Sequence, residues 1–396
     1  MSVHYIEIKK RNPMLPFDKI IAKYKKLGCP DDVFNPCNLP LKRNKYFVLL
    51  SERSVGKTTN VILFGMCAHE ICGTQIQYIR QHSDMIMPKT SRQLFDTILR
   101  YDYVSKVTGG RWSSVTYWAA GWYYCNTAED TGKVTERAEK PFMYCLGLNK
   151  AEDYKSVYNA PTGDIIIFDE FISRYYAQDE FILFCDVVKT IIRNRQEPII
   201  FMLGNTLDRY NHYFSEMEIL NITTSIPIGE HTETVTTKGT PIYVEIVTLV
   251  KTPERMTFNK LFFGFKNKKL GSITGEDWAI TPVQHIDDKD AENRTVIYKY
   301  LYIIVEGQLI QLELVRSDKY GTHVLAHMAR KTYDDSRIYS VDLMHDSRYR
   351  YRFGSDNLDK LIWTLYNRKK FYYANNLVGV LVDKYVTYAT KAKSLY

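Results

Sequence analysis

Two stretches of the chain combine residue types that suit phosphate chemistry. In the first, a glycine-lysine-threonine sequence, Gly56-Lys57-Thr58, ends a short loop. In a P-loop, backbone N–H groups at a helix start face the phosphates, the lysine reaches the β- and γ-phosphates and the threonine hydroxyl ligates Mg²⁺. The sequence therefore predicts a Walker A loop that binds ATP and Mg²⁺ through Ser51, Glu52, Arg53, Ser54, Val55, Gly56, Lys57, Thr58 and Thr59.

The first position of this motif departs from the usual pattern. Where G-x-x-x-x-G-K-[ST] begins with glycine, this chain has Ser51. A glycine-lysine-threonine tripeptide also occurs at ordinary helix starts. Here the apolar run Lys45–Leu50 before the loop and the amphipathic segment Asn60–His69 after it supply the strand–loop–helix context that a P-loop requires.

The second stretch places two acids at the end of an apolar run. Ile165–Phe168 is typical of a buried strand in a parallel sheet, and Asp169 and Glu170 follow it at the carboxyl end, where ligands bind in such sheets. Asp169 is expected to hold Mg²⁺, and Glu170 to orient and deprotonate the attacking water. The alternative is a strand that merely ends in solvated acids. Coming after a glycine-lysine-threonine motif, the catalytic interpretation is favoured.

A third apolar run, Ile199–Leu203, leads to Asn205. A polar residue at such a strand end can contact the γ-phosphate or the attacking water. It can equally cap a strand-to-loop turn, and the local sequence gives both readings the same weight. Strands that alternate with helices, including Phe17–Leu27 and Asp179–Arg195, predict an α/β sheet with right-handed crossovers.

Length and composition limit the classes of protein to which this chain could belong. The 396 residues favour two domains, and the net charge of +8 suits a polyanionic partner, although solubility alone explains it nearly as well. Seven scattered cysteines without a C-x-x-C pair favour a reduced, cytosolic protein. No apolar run reaches the ~18–20 residues of a membrane span, and Met1–Lys10 lacks the apolar core of a signal peptide, so we expect no membrane partner.

The second half has a different pattern. We predict a first domain at 1–249, a linker or lid at 250–286 and a second domain at 287–396. Successive strands and a helix at Asn357–Asn367 suit an RNase H-like α+β domain. A nuclease of this type needs carboxylates that converge on metal ions, one of them on the first strand, and the candidate strand Thr295–Tyr302 has none. Acids elsewhere in the domain, such as Asp342, Asp346 and Asp359, are more often solvated surface, so a domain without nuclease chemistry is favoured.

The segment Ser347–Phe353 alternates arginine with aromatic residues. On a strand, this alternation would place the three arginines on one face. They could bind phosphates of DNA or of a scaffold RNA, or form an edge that docks on a portal. A solvated strand face is slightly favoured over these roles. The three arginines are Arg348, Arg350 and Arg352.

Several motifs together resemble the DNA-packaging ATPases of phi29-like podophages. Besides the P-loop they are, in order, Phe34-Asn35-Pro36, Ile76–Arg80, IIFDEFI at Ile166–Ile172, IRNR at Ile192–Arg195 and Leu203-Gly204-Asn205. The phrase FDEFI followed by IRNR is the most specific part. The resemblance covers about Asp32–Phe214 and is faint beyond it.

This resemblance implies an ASCE (RecA-like) ring ATPase, a homopentamer, that drives double-stranded DNA through the portal of a procapsid in the host cytoplasm. It implies that Phe34 and Asn35 lie at the nucleotide, that Arg53 contacts phosphate, and that Arg193 is an arginine finger for the neighbouring subunit. The second domain then corresponds to the family's vestigial nuclease domain. Lys155 is a weaker candidate for a DNA-gripping loop or a contact to the neighbour.

Two other functions stay open at this point. One is a motor similar to the large terminases, with an active metal-dependent nuclease. The other is a P-loop protein that uses nucleotide binding as a switch. DNA-stimulated, multiple-turnover ATP hydrolysis separates both motors from the switch, and metal-dependent DNA cleavage separates the two motors from each other.

Overall fold

The chain divides into two units, one formed by Met1–Tyr213 and Met217–Ala279 and the other by Phe214–Glu216 and Ile280–Tyr396. The structure is a computed structural model, and it describes residues 15–52, 55–128, 130–150, 163–172, 180–193, 198–205, 211–248, 257, 260–262, 283–286, 293–305, 307–341, 347–354 and 356–391. The predicted linker or lid at 250–286 lies mostly outside these residues, so the three predicted domain ranges stay predictions.

The apolar runs of the first unit form one large mixed sheet. Its described strands are β1 (Tyr46–Ser51), β2 (Ile76–Arg80), β3 (Ser114–Trp118), β4 (Gly121–Thr127), β5 (Val134–Arg137), β6 (Met143–Gly147), β7 (Ile165–Asp169), β8 (Ile199–Asn205), β9 (His231–Val235) and β10 (Pro241–Val247). Their order is β3-β4-β6-β2-β7-β8-β1-β10-β9, and β5 pairs with β4. The strands from β6 to β10 in this order are parallel, and antiparallel strands flank them. Parallel strands are covered on both faces, which explains their continuous apolar sequences.

Helices precede and separate these strands along the chain. They are α1 (Phe17–Lys25), α2 (Lys57–Cys72), α3 (Pro88–Ser91), α4 (Asp96–Arg100), α5 (Tyr103–Thr108), α6 (Glu180–Ile192), α7 (His212–Glu216) and α8 (Leu220–Ser225). The helix after the P-loop, α2, is buried along most of its length. Its Gly65 lies so close to β2 that a Cβ atom there would meet Ile76 Cδ1 at 2.5 Å. This glycine therefore allows α2 to pack directly on the sheet.

Helix α6 is shorter than the predicted helix Asp179–Arg195. Its described residues end at Ile192, and Arg193 has a φ of 50°, in the left-handed region that interrupts an α-helix. Asp179 and residues 194–197 lie outside the described residues.

The second unit has its own sheet and core. Its strands are β11 (Arg294–Val305), β12 (Gln308–Ser317), β13 (Gly321–Met328), β14 (Arg337–Ser340), β15 (Tyr349–Arg350) and β16 (Phe371–Tyr373), and its helices are α9 (Asn357–Asn367) and α10 (Asn376–Lys391). The first three strands form an antiparallel meander, after which β14 lies parallel to β11, and β15 parallel to β14. Side chains from α9 and α10 share a core with this sheet. The predicted fold class, an α/β domain followed by an RNase H-like α+β domain, is confirmed. Among the described helices, none has the length and apolar character to cross a membrane.

The strand predicted at Ser347–Phe353 is wrong in its extent. Only Tyr349–Arg350 pairs with a neighbouring strand, and Arg350 Nη1 donates to the backbone carbonyls of Ser347 at 2.6 Å and Tyr349 at 3.0 Å. The chain bends after Arg350, and the Phe353 ring packs 4.6 Å from the ring of Tyr339. The predicted arginines, Arg348, Arg350 and Arg352, therefore do not line one face of a single strand.

Asp359 in α9 carries a buried carboxylate that joins several parts of the second unit. Arg337 Nη1 donates to its Oδ1 at 2.7 Å, the Tyr339 hydroxyl donates to the same oxygen, and the Gly354 N–H donates to Oδ2 at 2.6 Å. The Asp359 side chain is 3% exposed, and the same arginine nitrogen also lies 2.7 Å from Asp356. Because an ionised carboxylate in this position needs its donors, Arg337 stabilises the junction of β14 and α9.

We expect Arg337→Ala to destabilise the second unit by about 3 kcal/mol, because it leaves the Asp359 carboxylate buried without its cation. Denaturant unfolding of the full chain, monitored through hydrogen exchange of the α9 amides, measures the change in the free energy of unfolding of the second unit. The control is Arg316→Ala, which removes an exposed guanidinium that bonds only weakly to Thr322, at 3.4 Å, and should change stability by less than about 0.5 kcal/mol. Equal effects of the two substitutions would contradict a special role for Arg337.

Candidate active site

The predicted P-loop joins the buried strand β1 to the buried helix α2. Gly56, the last residue before α2, has a φ of 79°. A Cβ atom on Gly56 would lie 3.0 Å from Asn60 Nδ2 and 3.3 Å from Val33 Cβ, so the conformation and the space both require glycine. The first N–H groups of α2 have no partner within the helix, which is the arrangement that binds phosphate.

The departure from glycine at Ser51 has a structural explanation. Ser51 is the last residue of β1 and pairs with Asn205 of β8 and Val247 of β10, so its backbone is extended and accepts a side chain. Its hydroxyl accepts a hydrogen bond from Lys57 Nζ and donates to the Glu52 carbonyl at 2.5 Å. The serine therefore gives the lysine a hydrogen-bond partner inside the loop.

Lys57 is itself mostly buried, with 7% of its surface exposed. Burial lowers the pKa of Lys57 to about 8, although the nearby carboxylates of Asp169, Glu170 and Glu52 act in the opposite direction. The ammonium form is therefore held at neutral pH but is lost at mildly alkaline pH.

Asp169, at the end of β7, brings the two predicted motifs together. Thr58 Oγ1 donates to its carboxylate oxygens at 3.1 and 3.2 Å, and the Tyr78 hydroxyl donates at 2.7 Å. Arg80 Nη1 lies 3.2 Å from the same carboxylate, whose side chain is 7% exposed. Burial, and then the charge of Asp169, raise the pKa of Tyr78 well above its usual value, so its hydroxyl stays a donor.

The oxygen atoms at this position fit a magnesium ion. Mg²⁺ prefers carboxylate, hydroxyl, water and phosphate oxygens, and it is commonly held by one or two side chains together with substrate phosphates. Thr58 and Asp169 supply a hydroxyl and a carboxylate in direct contact. Within the described residues, no group of three or more His, Cys, Asp or Glu side chains is arranged to hold a metal ion.

Glu170 is more exposed than Asp169 and is held by the same arginine. Arg80 Nη2 lies 2.5 Å from Glu170 Oε2, and the Glu170 side chain is 53% exposed. The backbone of Glu170 has a φ of 51°, and its N–H donates to Asp169 Oδ1 at 3.0 Å. Arg80 Nη2 also contacts the Met85 sulfur at 3.6 Å. The predicted base is thus ion-paired in this structure.

Asn205 and Phe34 approach the loop in different ways. Asn205 ends β8 directly beside Ser51, at the edge where Asp169 lies. Phe34 has its ring buried in the core, and its N–H donates to the Val55 carbonyl of the loop at 2.9 Å. The Asn35 side chain accepts from the Cys37 N–H at 3.0 Å, so it shapes a local turn. The predicted contacts of these residues with nucleotide stay predictions.

Arg193 lies at the far end of α6 from this edge. The helix begins at Glu180, whose carboxylate accepts from Gln81 Nε2, one residue after β2, at 3.0 Å. Its 13 residues extend about 20 Å, and Arg193 follows. The structure thus brings together Lys57, Thr58, Asp169, Glu170 and Asn205 but does not bring Arg193 to them. Three predicted site residues lie outside the described residues: Arg53, Ser54 and Lys155.

Two residues of this site were not assigned a role from the sequence. Tyr78 and Arg80 lie on β2, with side chains on the same face because they are two positions apart. The sequence signals are a cation at the end of an apolar run and the place of Ile76–Arg80 among the motifs of the resemblance. Its importance depends on β2 being the neighbour of β7, which the sequence does not specify.

Comparisons with known proteins agree on the fold. The structure described as the Phi-28 gp11 DNA packaging motor is 17% identical in sequence, with a TM-score of 0.59, over 91% of this chain and 99% of that one. The structure described as the bacteriophage Phi-29 viral genome packaging motor assembly is 12% identical, with a TM-score of 0.58, over 91% of this chain and 100% of that one. No protein-family model matches the sequence, and no curated protein matches it either.

We expect ATP binding to weaken above pH 8 because phosphate requires the ammonium form of Lys57. The pKa of Lys57 in the free protein is about 8, whereas bound phosphate would raise it. The dissociation constant for ATP should therefore rise about tenfold per pH unit above pH 8 and stay constant below pH 8. Titration calorimetry in buffers of different ionisation enthalpy should also detect proton uptake at pH 9. In Lys57→Arg, any remaining binding should lose this dependence, since a guanidinium stays charged. The same slope in both proteins would assign the titration to another group.

Proposed function

We propose that this protein is an ATPase that drives double-stranded viral DNA into a procapsid through its portal. The observation that carries the proposal is the contact between Thr58 and Asp169. It joins the glycine-lysine-threonine loop to the acid pair of a neighbouring strand, which is the arrangement of a nucleotide-hydrolysis site. The likeness in fold to two solved packaging motors supports the choice of substrate.

In this proposal, different residues of the chain bind the phosphates, hold the metal ion and activate the water. Lys57 leaves the Ser51 hydroxyl and neutralises the β- and γ-phosphates of ATP. Thr58 and Asp169 hold Mg²⁺, which when bound neutralises phosphate charge. Glu170 orients the attacking water and takes its proton. Asn205, at the end of β8, is positioned beside the loop to contact the γ-phosphate side.

Glu170 must leave Arg80 before it can act as a base. Arg80 Nη2 lies 2.5 Å from Glu170 Oε2 and occupies the side of this oxygen on which a water molecule would have to bind. Arg80 keeps a second contact to Asp169 through its other terminal nitrogen. We therefore assign the described arrangement to a resting state, in which Glu170 is held by Arg80.

The partners of the proposed motor are the DNA, the portal and further copies of the chain. In a homopentameric ring, Arg193 would reach the ATP of the neighbouring subunit, since it lies at the opposite end of α6 from its own Asp169 and Glu170. Lys155 is proposed for the DNA-gripping loop. The arginines at 348, 350 and 352 are proposed to bind phosphates of DNA or of a scaffold RNA, or to dock on the portal. They would do so individually rather than as one strand face.

The central test is steady-state ATP hydrolysis by the full chain, with and without double-stranded DNA. We expect multiple turnovers that DNA stimulates. Lys57→Ala should lose ATP binding, whereas Glu170→Gln should bind ATP and hydrolyse it about 10²–10⁴-fold more slowly, because the base acts only in the transition state. Glu139→Gln, at an exposed glutamate of the same unit, is the matched control and should leave the rate unchanged.

Each other result has a definite meaning. ATP binding without turnover, in the presence of DNA and procapsids, would indicate a nucleotide switch. Metal-dependent cleavage of plasmid DNA by the full chain, abolished by an Asp substitution in the second unit, would indicate a motor with an active nuclease. Normal hydrolysis by Glu170→Gln would require another base.

A separate prediction concerns Arg193 and uses mixed assemblies. An arginine supplied by a neighbour stabilises charge that develops in the transition state and contributes about 10³–10⁵ in rate. We expect Arg193→Ala subunits to bind ATP normally. Mixed with Glu170→Gln subunits, they should recover hydrolysis only at interfaces that join an intact Glu170 to an intact Arg193.

The alternative is that Arg193 pairs with a carboxylate at a helix end and has no role in the neighbouring subunit. Isolated Arg193→Ala monomers would then lose activity by the same factor as assembled rings. Mixing the two variants would restore nothing.

A further inference from the structure

A buried chain of hydrogen bonds connects α1 to the backbone of the P-loop. The Tyr24 hydroxyl donates to Asn60 Oδ1 at 2.6 Å, and Asn60 Nδ2 donates to the Gly56 carbonyl at 3.0 Å. Tyr24 is 2% exposed and Asn60 is 4% exposed, so water does not compete effectively for these groups. Neither residue belongs to the motif that predicted the P-loop, and they lie 36 positions apart.

The bond to Gly56 matters because of the geometry of the peptide unit. The Gly56 carbonyl and the Lys57 N–H belong to one planar trans peptide and point in opposite directions. The carbonyl accepts from the Asn60 side chain and also from the Asn60 N–H, at 3.0 Å each. Two donors on the helix side thus hold the carbonyl toward α2. The Lys57 N–H is thereby directed away from α2, as a phosphate-binding N–H must be.

The hydroxyl of Tyr24 sets the orientation of the amide in turn. An asparagine amide can present either its oxygen or its nitrogen to a neighbour. Because the Tyr24 hydroxyl donates to Oδ1, the nitrogen faces the Gly56 carbonyl. A reversed amide would bring two oxygens together. Burial raises the pKa of Tyr24, so its hydroxyl keeps its proton.

We propose that Tyr24 and Asn60 are positioning residues that hold the Gly56 peptide in its phosphate-binding orientation. Neither touches the acids Asp169 and Glu170 in any described hydrogen bond. They therefore act on the affinity for ATP and not on the hydrolytic step. The proposal takes its ligand, ATP, from the proposed function. The two hydrogen bonds from Tyr24 to Asn60 and from Asn60 to Gly56, here called the relay, do not depend on a ligand.

The test is Tyr24→Phe, which keeps the ring packed near Phe64 and removes only the hydroxyl. We expect the dissociation constant for ATP to rise about five- to tenfold, with kcat at saturating ATP changed less than about twofold. The matched control is Tyr124→Phe. Tyr124 is also 2% exposed and belongs to the same core, but its hydroxyl has no hydrogen-bond partner in the described part of the chain.

A double substitution separates the relay from a loss of packing. In an Asn60→Ala background, Tyr24→Phe should add no further loss of ATP affinity, because the amide through which it acts is gone. An equal loss in both backgrounds would overturn the proposal. So would an equal effect of Tyr124→Phe.

Hydrogen exchange without nucleotide tests the relay independently of the proposed function. The Asn60 N–H donates to Gly56, and we expect its exchange to accelerate about fivefold in Tyr24→Phe and to stay unchanged in Tyr124→Phe. If the unsubstituted protein binds no ATP while exchange responds in this way, the proposed function fails and the relay stands. Unchanged exchange in Tyr24→Phe would overturn the relay.

Discussion

The buried carboxylate of Asp169 is the constraint on which the arrangement of this sheet edge depends. An ionised carboxylate can leave water only where donors replace its hydration. Three side-chain donors come from two other elements, since Thr58 belongs to α2 and both Tyr78 and Arg80 belong to β2, and the Glu170 N–H adds a fourth. The positions of the P-loop helix, β2 and β7 at this edge are therefore coupled through one side chain. A displacement of any of the three changes the surroundings of the same charge.

Arg80 forms ion pairs with two acids, Asp169 and Glu170, and the two pairs differ in stability. The pair with Glu170 separates more easily than the pair with Asp169. Its pair with Asp169 is nearly closed to solvent, whereas the Glu170 side chain is half exposed. Exposed ion pairs contribute little because water and salt screen them, and breaking a buried pair is strongly unfavourable. The two acids contact different terminal nitrogens of Arg80. Separation of Glu170 from Arg80 therefore leaves the contact of Arg80 with Asp169 in place.

The sequence predicts those parts of the site that local patterns encode. Asp169 was predicted at a strand end because a buried parallel strand is a continuous apolar run and the acid interrupts it. Arg80 was missed as a site residue because its role depends on which strands are neighbours. Tyr24 and Asn60 were missed because their contact spans two elements and has no periodic pattern. Ser51 was read as a departure from a motif, whereas its extended backbone and its contact with the lysine are visible only in three dimensions.

The second unit shows that the surroundings of a buried acid do not identify its function. Asp359, like Asp169, accepts from a tyrosine and an arginine two positions apart on one strand, here Tyr339 and Arg337. Its other oxygen accepts from a backbone N–H of the same unit, so protein donors contact both carboxylate oxygens, as they do in Asp169. Asp169 differs because one of its donors is Thr58 of the glycine-lysine-threonine motif, and because an exposed acid, Glu170, follows it. The same solution to burying a charge therefore supports structure in one unit and a candidate active site in the other. The helix start with Gly56 and Lys57, which we propose binds phosphate, is what distinguishes them.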